Sequence, residues 1–153
     1  MLTLVDNFSR VIPAIEVDFS LTGKRVVEVL ERLKLISGLP KVIKVDNGSE
    51  FISKAMDEWA HRNGVKLDFS RPCKPTDNAF IESFNGRLRQ ECLNQNWFTT
   101  LDDAQETVEA WREDYNQFRP HSSLDDRTPS EFVGRWQQLR AAQEAGILTL
   151  ETV

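Results

Sequence analysis

Apolar positions along this chain change period several times, and each change marks an element. Leu2 to Val5 and Val11 to Phe19 read as two strands, joined by the turn-forming cluster Asp6-Asn7-Phe8-Ser9-Arg10, so a hairpin opens the chain. From Thr22 the period lengthens. Val26, Val29, Leu30, Leu33 and Ile36 recur at three and four, one face of a helix that Gly38 and Pro40 stop. Lys41 to Val45 predicts a short strand, apolar enough to be buried. Ser53 opens a second helix with Met56, Trp59 and Ala60 inward, closed by Asn63-Gly64. Val65, Leu67 and Phe69 then alternate, as a half-buried strand does.

The stretch from Ser70 to Asn78 contains Pro72 and Pro75 and predicts a loop. A helix follows, capped by Thr76 or Asp77. At about 100° per residue, Phe80, Phe84 and Leu88 fall on one side, while Asn78, Glu82, Asn85 and Arg89 line the other. Leu101, Ala104, Val108, Trp111, Tyr115 and Phe118 make an amphipathic helix that ends before Pro120, its aromatic residues core by spacing. Thr128-Pro129-Ser130-Glu131 is a capping box with proline at the first helical position. Its helix carries Phe132, Trp136 and Leu139 and ends at Gly146; Ile147 to Leu150 fits a strand or a frayed end. Strands and helices in this order predict an α/β layer fold with a mixed sheet.

Bulk composition narrows the class. At 153 residues, 40% hydrophobic and 28% charged, the chain has the size and balance of one soluble domain. It contains no apolar run near the roughly 20 residues of a membrane span, and a cytoplasmic protein is expected. Cys73 and Cys92 show no zinc spacing with each other or with His61 and His121, which predicts two reduced thiols. The net charge of −5 argues against an overall electrostatic grip on nucleic acid. That charge resides in one helix, however: residues 101–114 hold six acids against Arg112. Elsewhere the charges balance, and Arg71, Lys74, Arg87 and Arg89 bracket Glu82.

Two acids attract attention by position. Asp46 ends the predicted strand Lys41–Val45 and faces Asn47-Gly48; Glu82 lies opposite the apolar stripe of its helix. Alone, Asp46 also fits a plain turn aspartate, and Glu82 a solvated helix glutamate. Together they are the kind of carboxylate pair that holds Mg²⁺, which prefers hard oxygen ligands.

The surrounding motifs sharpen this. Val-Asp-Asn-Phe-Ser-Arg (5–10), Val-Asp-Asn-Gly-Ser-Glu-Phe (45–51), Lys-Pro-Thr-Asp-Asn-Ala-Phe-Ile-Glu-Ser-Phe-Asn-Gly (74–86), Tyr-Asn-Gln-Phe-Arg-Pro-His-Ser-Ser-Leu (115–124) and Thr-Pro-Ser-Glu-Phe (128–132) occur in order. In this the chain resembles the catalytic core of retroviral integrases and of insertion-element transposases of the OrfB type, with their Asp-Asp-Glu triad. The family separates its second acid from its glutamate by thirty-five residues, as Asp46 and Glu82 are separated, and places a basic residue seven positions later, where Arg89 stands.

The resemblance implies a ribonuclease-H-like integrase core over residues 1–132, with a mixed sheet lacking its first strand, then a C-terminal helix and tail over 133–153. It implies metal-dependent nicking and strand transfer of DNA, with two Mg²⁺ (or Mn²⁺) ions roughly 3.5–4 Å apart in the complete enzyme. Asp46 and Glu82 would be catalytic metal ligands, their carboxylates roughly 4–7 Å apart. Arg89, Asn85, Lys74 and Arg71 would contact DNA, and the complete enzyme would work as a homo-oligomer on element ends and target, with no membrane partner. Relatives carry their first aspartate on a strand before the 5–10 hairpin. Asp6 matches the hairpin turn instead, so that acid is absent here. The absent strand belongs between the strands at 2–5 and 41–45, and its loss opens a gap in the sheet that Ile147 to Leu150 are the only spare apolar residues to fill.

Two function classes follow. One is an enzyme core of which this chain is a partial fragment, inactive or nearly so alone, whose upstream codons, roughly 15–25 by strand and loop lengths, encode the missing strand. The other is a catalytically dead remnant that binds DNA or an intact transposase and acts as an inhibitor. A nuclease of the ribonuclease H type is a third, disfavoured by the matches at 74–86 and 115–132.

Overall fold

The opening hairpin forms with a shorter ladder than its apolar run predicts. In the computed structural model, which describes residues 1–71, 73–74, 76 and 79–144, β1 (Leu2–Leu4) and β2 (Ala14–Glu16) pair antiparallel with Leu4 opposite Ala14. The next step in this register would set Pro13 against Val5, and proline has no N–H to give. The turn is closed instead by Asp6 N–H to Val11 O (2.9 Å) and Arg10 N–H to Asp6 O (2.8 Å), with Arg10 in the left-handed region at φ 62°.

Local chemistry sets the helix ends as expected. The Thr22 hydroxyl accepts from Arg25 N–H to start α1 (Gly23–Ser37), and Gly38 N–H donates to Lys34 O at its end. The Ser53 hydroxyl accepts from Met56 N–H to start α2 (Lys54–Asn63), which Gly64 closes in the left-handed conformation. Helix α2 is the crossover between parallel strands β3 (Val42–Val45) and β4 (Lys66–Phe69), in register from Val42–Lys66 to Val45–Phe69. After α3 (Ala79–Leu88) the chain passes through one wide turn, Arg89–Leu93, in which Asn94 N–H reaches back five residues to Arg89 O at 2.8 Å. Helix α4 (Leu101–Phe118), a 3₁₀ turn (Ser122–Leu124) and α5 (Pro129–Glu144) complete it. The capping box is made in full: Glu131 N–H to the Thr128 hydroxyl at 3.2 Å, and Thr128 N–H to the Glu131 carboxylate at 2.9 Å. Asp77, Asn78, Gly146 and the stretch Ile147–Leu150 lie outside the described residues.

Two cores lie on the two faces of the β1–β2 ribbon. Leu2, with Leu4 and Ala14, packs against Val26, Val29, Leu30, Met56, Trp59 and Val65. Ile12 and Ile15, with Val5 and Val17, pack against Phe84, Leu88, Cys92, Val108 and Tyr115. The alternation of side chains along a strand thus puts α1 and α2 on one face and α3 and α4 on the other.

Three expectations of burial fail, for related reasons. The apolar run of β3 predicts a buried strand, yet Val42 is 46% exposed. Among the described residues, strands β1–β2 and β3–β4 form separate two-stranded sheets, the break expected between residues 2–5 and 41–45, and none of these residues extends the sheet past β3. Ile36 and Phe118 continue the apolar stripes of α1 and α4, but both sit in a last helical turn that outruns its cover, and Phe118 is 75% exposed. Trp136 and Leu139 are also largely exposed; on α5 the aromatic contact is with the hairpin turn, Phe8 meeting Phe132 and Trp136 edge-on at 5.3 and 5.2 Å.

Candidate functional site

Asp46 is the first residue past β3, and its turn is tied to the end of β4. Ser70 donates to Val45 O from its N–H (3.0 Å) and its hydroxyl (3.2 Å), while the Asn47 side-chain amide donates to Ser70 O (3.2 Å). The exposed Asp46 carboxylate accepts from Gly48 N–H at 2.8 Å, the turn geometry that Asp-Asn-Gly suggests. Gly48 leaves open a small space between two carboxylates. A Cβ there would stand 2.9 Å from Asp46 Oδ1 and 2.9 Å from Glu50 Oε1, so two carboxylate oxygens border the same small space. Those are the hard donors that Mg²⁺ or Mn²⁺ selects.

Glu82 is exposed in the first turn of α3, with Phe84 and Leu88 buried beneath the opposite face. Among the described residues, no three histidines, cysteines or acids come together as a metal-holding group. Asn85, on the Glu82 side, is half-buried and accepts a hydrogen bond from the Thr3 hydroxyl at 2.8 Å, which fastens α3 to β1. Arg89 is exposed at the start of the wide turn; Lys74 and Arg71 are exposed on the loop, joined by Lys74 N–H to Arg71 O at 3.3 Å.

A second constellation has no counterpart in the sequence reading. Tyr115 is ringed by Phe84 (5.3 Å), Trp111 (5.4 Å) and His121 (5.1 Å). Arg119 lies over the Tyr115 ring at 5.1 Å and forms an ion pair with Glu91, whose carboxyl it holds below the usual range. Arg10 lies over Phe80 at 4.1 Å, and its Nε donates to the Ser123 hydroxyl at 3.4 Å. His121 Nε2 is enclosed and has no hydrogen-bond partner among the described residues. Burial lowers the pKa of this imidazole, and the charges of Arg87, Arg119 and Arg10 lower it further. His121 is thus packed edge-on against the Tyr115 ring. Arg119 is two residues away in the chain, whereas Arg10 and Arg87 come from distant segments that only the fold brings to it.

Comparison with known proteins gives these placements a family context. Two family models, both described as an integrase core domain, match residues 1–75 and 63–129. A 31.7 kDa protein of insertion element IS407 from Burkholderia multivorans is 48% identical over 134 residues, 88% of this chain and 48% of that protein. A 39.2 kDa protein of insertion element IS476 from Xanthomonas euvesicatoria is 41% identical over 140 residues, 92% of this chain and 40% of that protein. The chain thus spans about half the length, or less, of these curated relatives. Among solved structures, the catalytic core of BIV integrase superposes with a TM-score of 0.68 at 16% identity, over 91% of this chain and 88% of that one. A chain of the simian T-cell lymphotropic virus intasome gives 0.71 at 19% identity, over 85% and 46%. Both are likenesses of fold, and the fold is the ribonuclease-H-like integrase core.

Proposed function

The chain belongs to the integrase core family, alongside insertion-element transposases, and from that premise we propose that it carries part of a metal-dependent DNA strand-transfer centre. The reaction class is phosphoryl transfer on DNA: nicking at an element end, with water as nucleophile, then joining of the freed 3′-hydroxyl to target DNA. One observation carries the reading. Asp46 and Glu82, at the family spacing within the matched span 1–129, are both exposed, one ending β3 and the other opening α3.

Asp46 and Glu82 would hold Mg²⁺ or Mn²⁺, and the Glu50 carboxylate, which borders the same space at Gly48 as Asp46, is a further oxygen donor near by. A bound divalent ion supplies Lewis-acid stabilisation of phosphoryl oxygens and a more acidic water. The chain's own residues orient and neutralise. Arg89 extends from the Glu82 line of α3 toward a DNA phosphate, with Lys74 and Arg71 as further backbone contacts. Asn85 has its carbonyl oxygen engaged by Thr3, which leaves its amide N–H groups to donate to DNA. The partners are DNA ends and target, held by a multimer of the complete enzyme.

The test is a Mg²⁺- or Mn²⁺-dependent nicking assay on this chain, on an upstream-extended version, and on Asp46→Asn in each. The extended version should nick, and Asp46→Asn should lower its rate roughly a thousandfold, the loss of about 4 kcal/mol of metal-centred stabilisation. Equal rates with and without the Asp46→Asn substitution would end the proposal.

A further inference from the structure

Helix α3 carries basic residues on two different flanks. Arg89, seven residues past Glu82, shares its line, whereas Arg87, five residues past, stands roughly 140° away around the helix. Phe80 falls on that second flank, two turns before Arg87, and receives the guanidinium of Arg10 over its ring. Arg10 is well held. Its backbone closes the hairpin turn in the left-handed conformation, its Nε reaches Ser123, and its planar group is stacked. The terminal nitrogens of Arg10, the edge that grips paired oxygens, have no hydrogen bond among the described residues. Arg87 is exposed and makes no ion pair among the described residues.

Local charge decides what such a surface takes. Arg10, Arg87 and Arg119 converge on the Tyr115–His121 pair, where their summed positive field reinforces the effect of burial on His121. Glu91 is the carboxylate facing them, and Arg119 already holds it. Asp125, on the same turn as Ser123, is taken by Arg127 at 3.2 Å. Neither Arg10 nor Arg87 therefore makes an ion pair among the described residues, Arg87 sharing only the field of Glu91 with Arg119, on a protein whose net charge is −5. Burying aromatic surface under Arg10 explains its stacking but not the open edge beside a second unpaired arginine.

We infer that Arg10 and Arg87, backed by Arg119, form a second contact surface for the phosphate backbone of DNA, on the flank of α3 turned away from Glu82. The inference rests on the DNA-binding reading above and adds to it a surface distinct from the Arg89, Lys74 and Arg71 side. Phosphate suits it because paired oxygens meet a preoriented guanidinium edge; such contacts position the duplex and read no bases.

The experiment uses the 153-residue chain and a fluorescent duplex of about 20 base pairs of arbitrary sequence, titrated between about 50 and 200 mM salt. Each of Arg10→Gln and Arg87→Gln should lower the slope of log K against log salt by about 0.9, and the double variant by nearly twice that. Arg10→Lys keeps the charge and should keep most of the slope. Arg87→Gln removes no ion pair from the described fold, so a folding defect does not cloud it. Saturation with duplex should also raise the NMR titration midpoint of His121, because phosphates offset the three arginines. If Arg89→Gln lowers the slope while Arg10→Gln and Arg87→Gln leave it unchanged, this surface is refuted and the DNA-binding reading stands. If the wild-type chain shows no salt-dependent binding, the DNA-binding reading fails and takes this inference with it.

Discussion

Asn116 is the buried polar residue on which the junction between α4 and the hairpin depends. Its side chain accepts from Ile12 N–H at 2.9 Å and donates to Ile12 O at 3.0 Å, and Ile12 is fully buried. The ladder ends at Pro13, so Ile12 has no strand partner and the asparagine supplies both of its backbone bonds. The Ile12 carbonyl has a second donor, Arg112 Nη1 at 2.9 Å, whereas its N–H has no other acceptor among the described residues. Asn116→Ala therefore orphans a buried N–H, which costs about 1–3 kcal/mol, and loses a further bond worth about 1 kcal/mol. The sum, about 2–4 kcal/mol, is a large part of the roughly 5–15 kcal/mol of an ordinary domain. Arg112→Met keeps the stem and orphans nothing on Ile12; it gives up a partly buried pair with Glu109 and one bond to Ile12 O and should cost about 1 kcal/mol. Urea unfolding followed by tryptophan fluorescence measures both, and Asn116→Ala should move the midpoint by roughly 1–2 M. Similar midpoints for the two variants would refute the reasoning that the Ile12 N–H is the costly group.

Further outcomes are expected elsewhere. Gly48→Ala drives a methyl group against the Asp46 and Glu50 oxygens, and calorimetric titration should show Mn²⁺ affinity reduced by about tenfold or more with the thermal midpoint little changed. His121 titrates below its ordinary 6.5 when folded, so the unfolded chain binds more protons just under that pH. Stability from this group is then complete above about 6.5 and falls as pH drops, and a His121→Gln chain should lose that part of the decline below about pH 6.5. Cys92 is buried and burial raises its thiol pKa, whereas Cys73 is exposed. A thiol reagent should label one cysteine per native chain quickly and the second only on unfolding; rapid double labelling would contradict the packing around Phe84 and Leu88.

The sequence had legible signals wherever the cause lies within a few residues. Thr22, Ser53 and the Thr128–Glu131 box each satisfy backbone groups of their own first turn, so their composition was sufficient to locate three helix starts. Asp46 and Glu82 belong with these, since a strand end and a helical angle need only local pattern. The wide turn at Arg89–Leu93 had no comparable signal: Arg-Gln-Glu-Cys-Leu continues the helical pattern, and nothing in its composition marks a change of turn.

Other outcomes required the chain to be folded. Burial of Val42, Ile36 and Phe118 depended on whether another element lay against them, which periodicity does not report. Asn85 shares the face of Glu82 by angle, yet the approach of β1 turned it toward Thr3. Sequence by itself determined the order of elements, most of their ends and the two acids of the candidate metal site, because these follow from interactions within a turn or two. Tertiary structure alone decided that Arg10, Arg87 and Arg119 meet around Tyr115 and His121. Segments about a hundred residues apart in the chain come together there because the two faces of one short ribbon must both be covered.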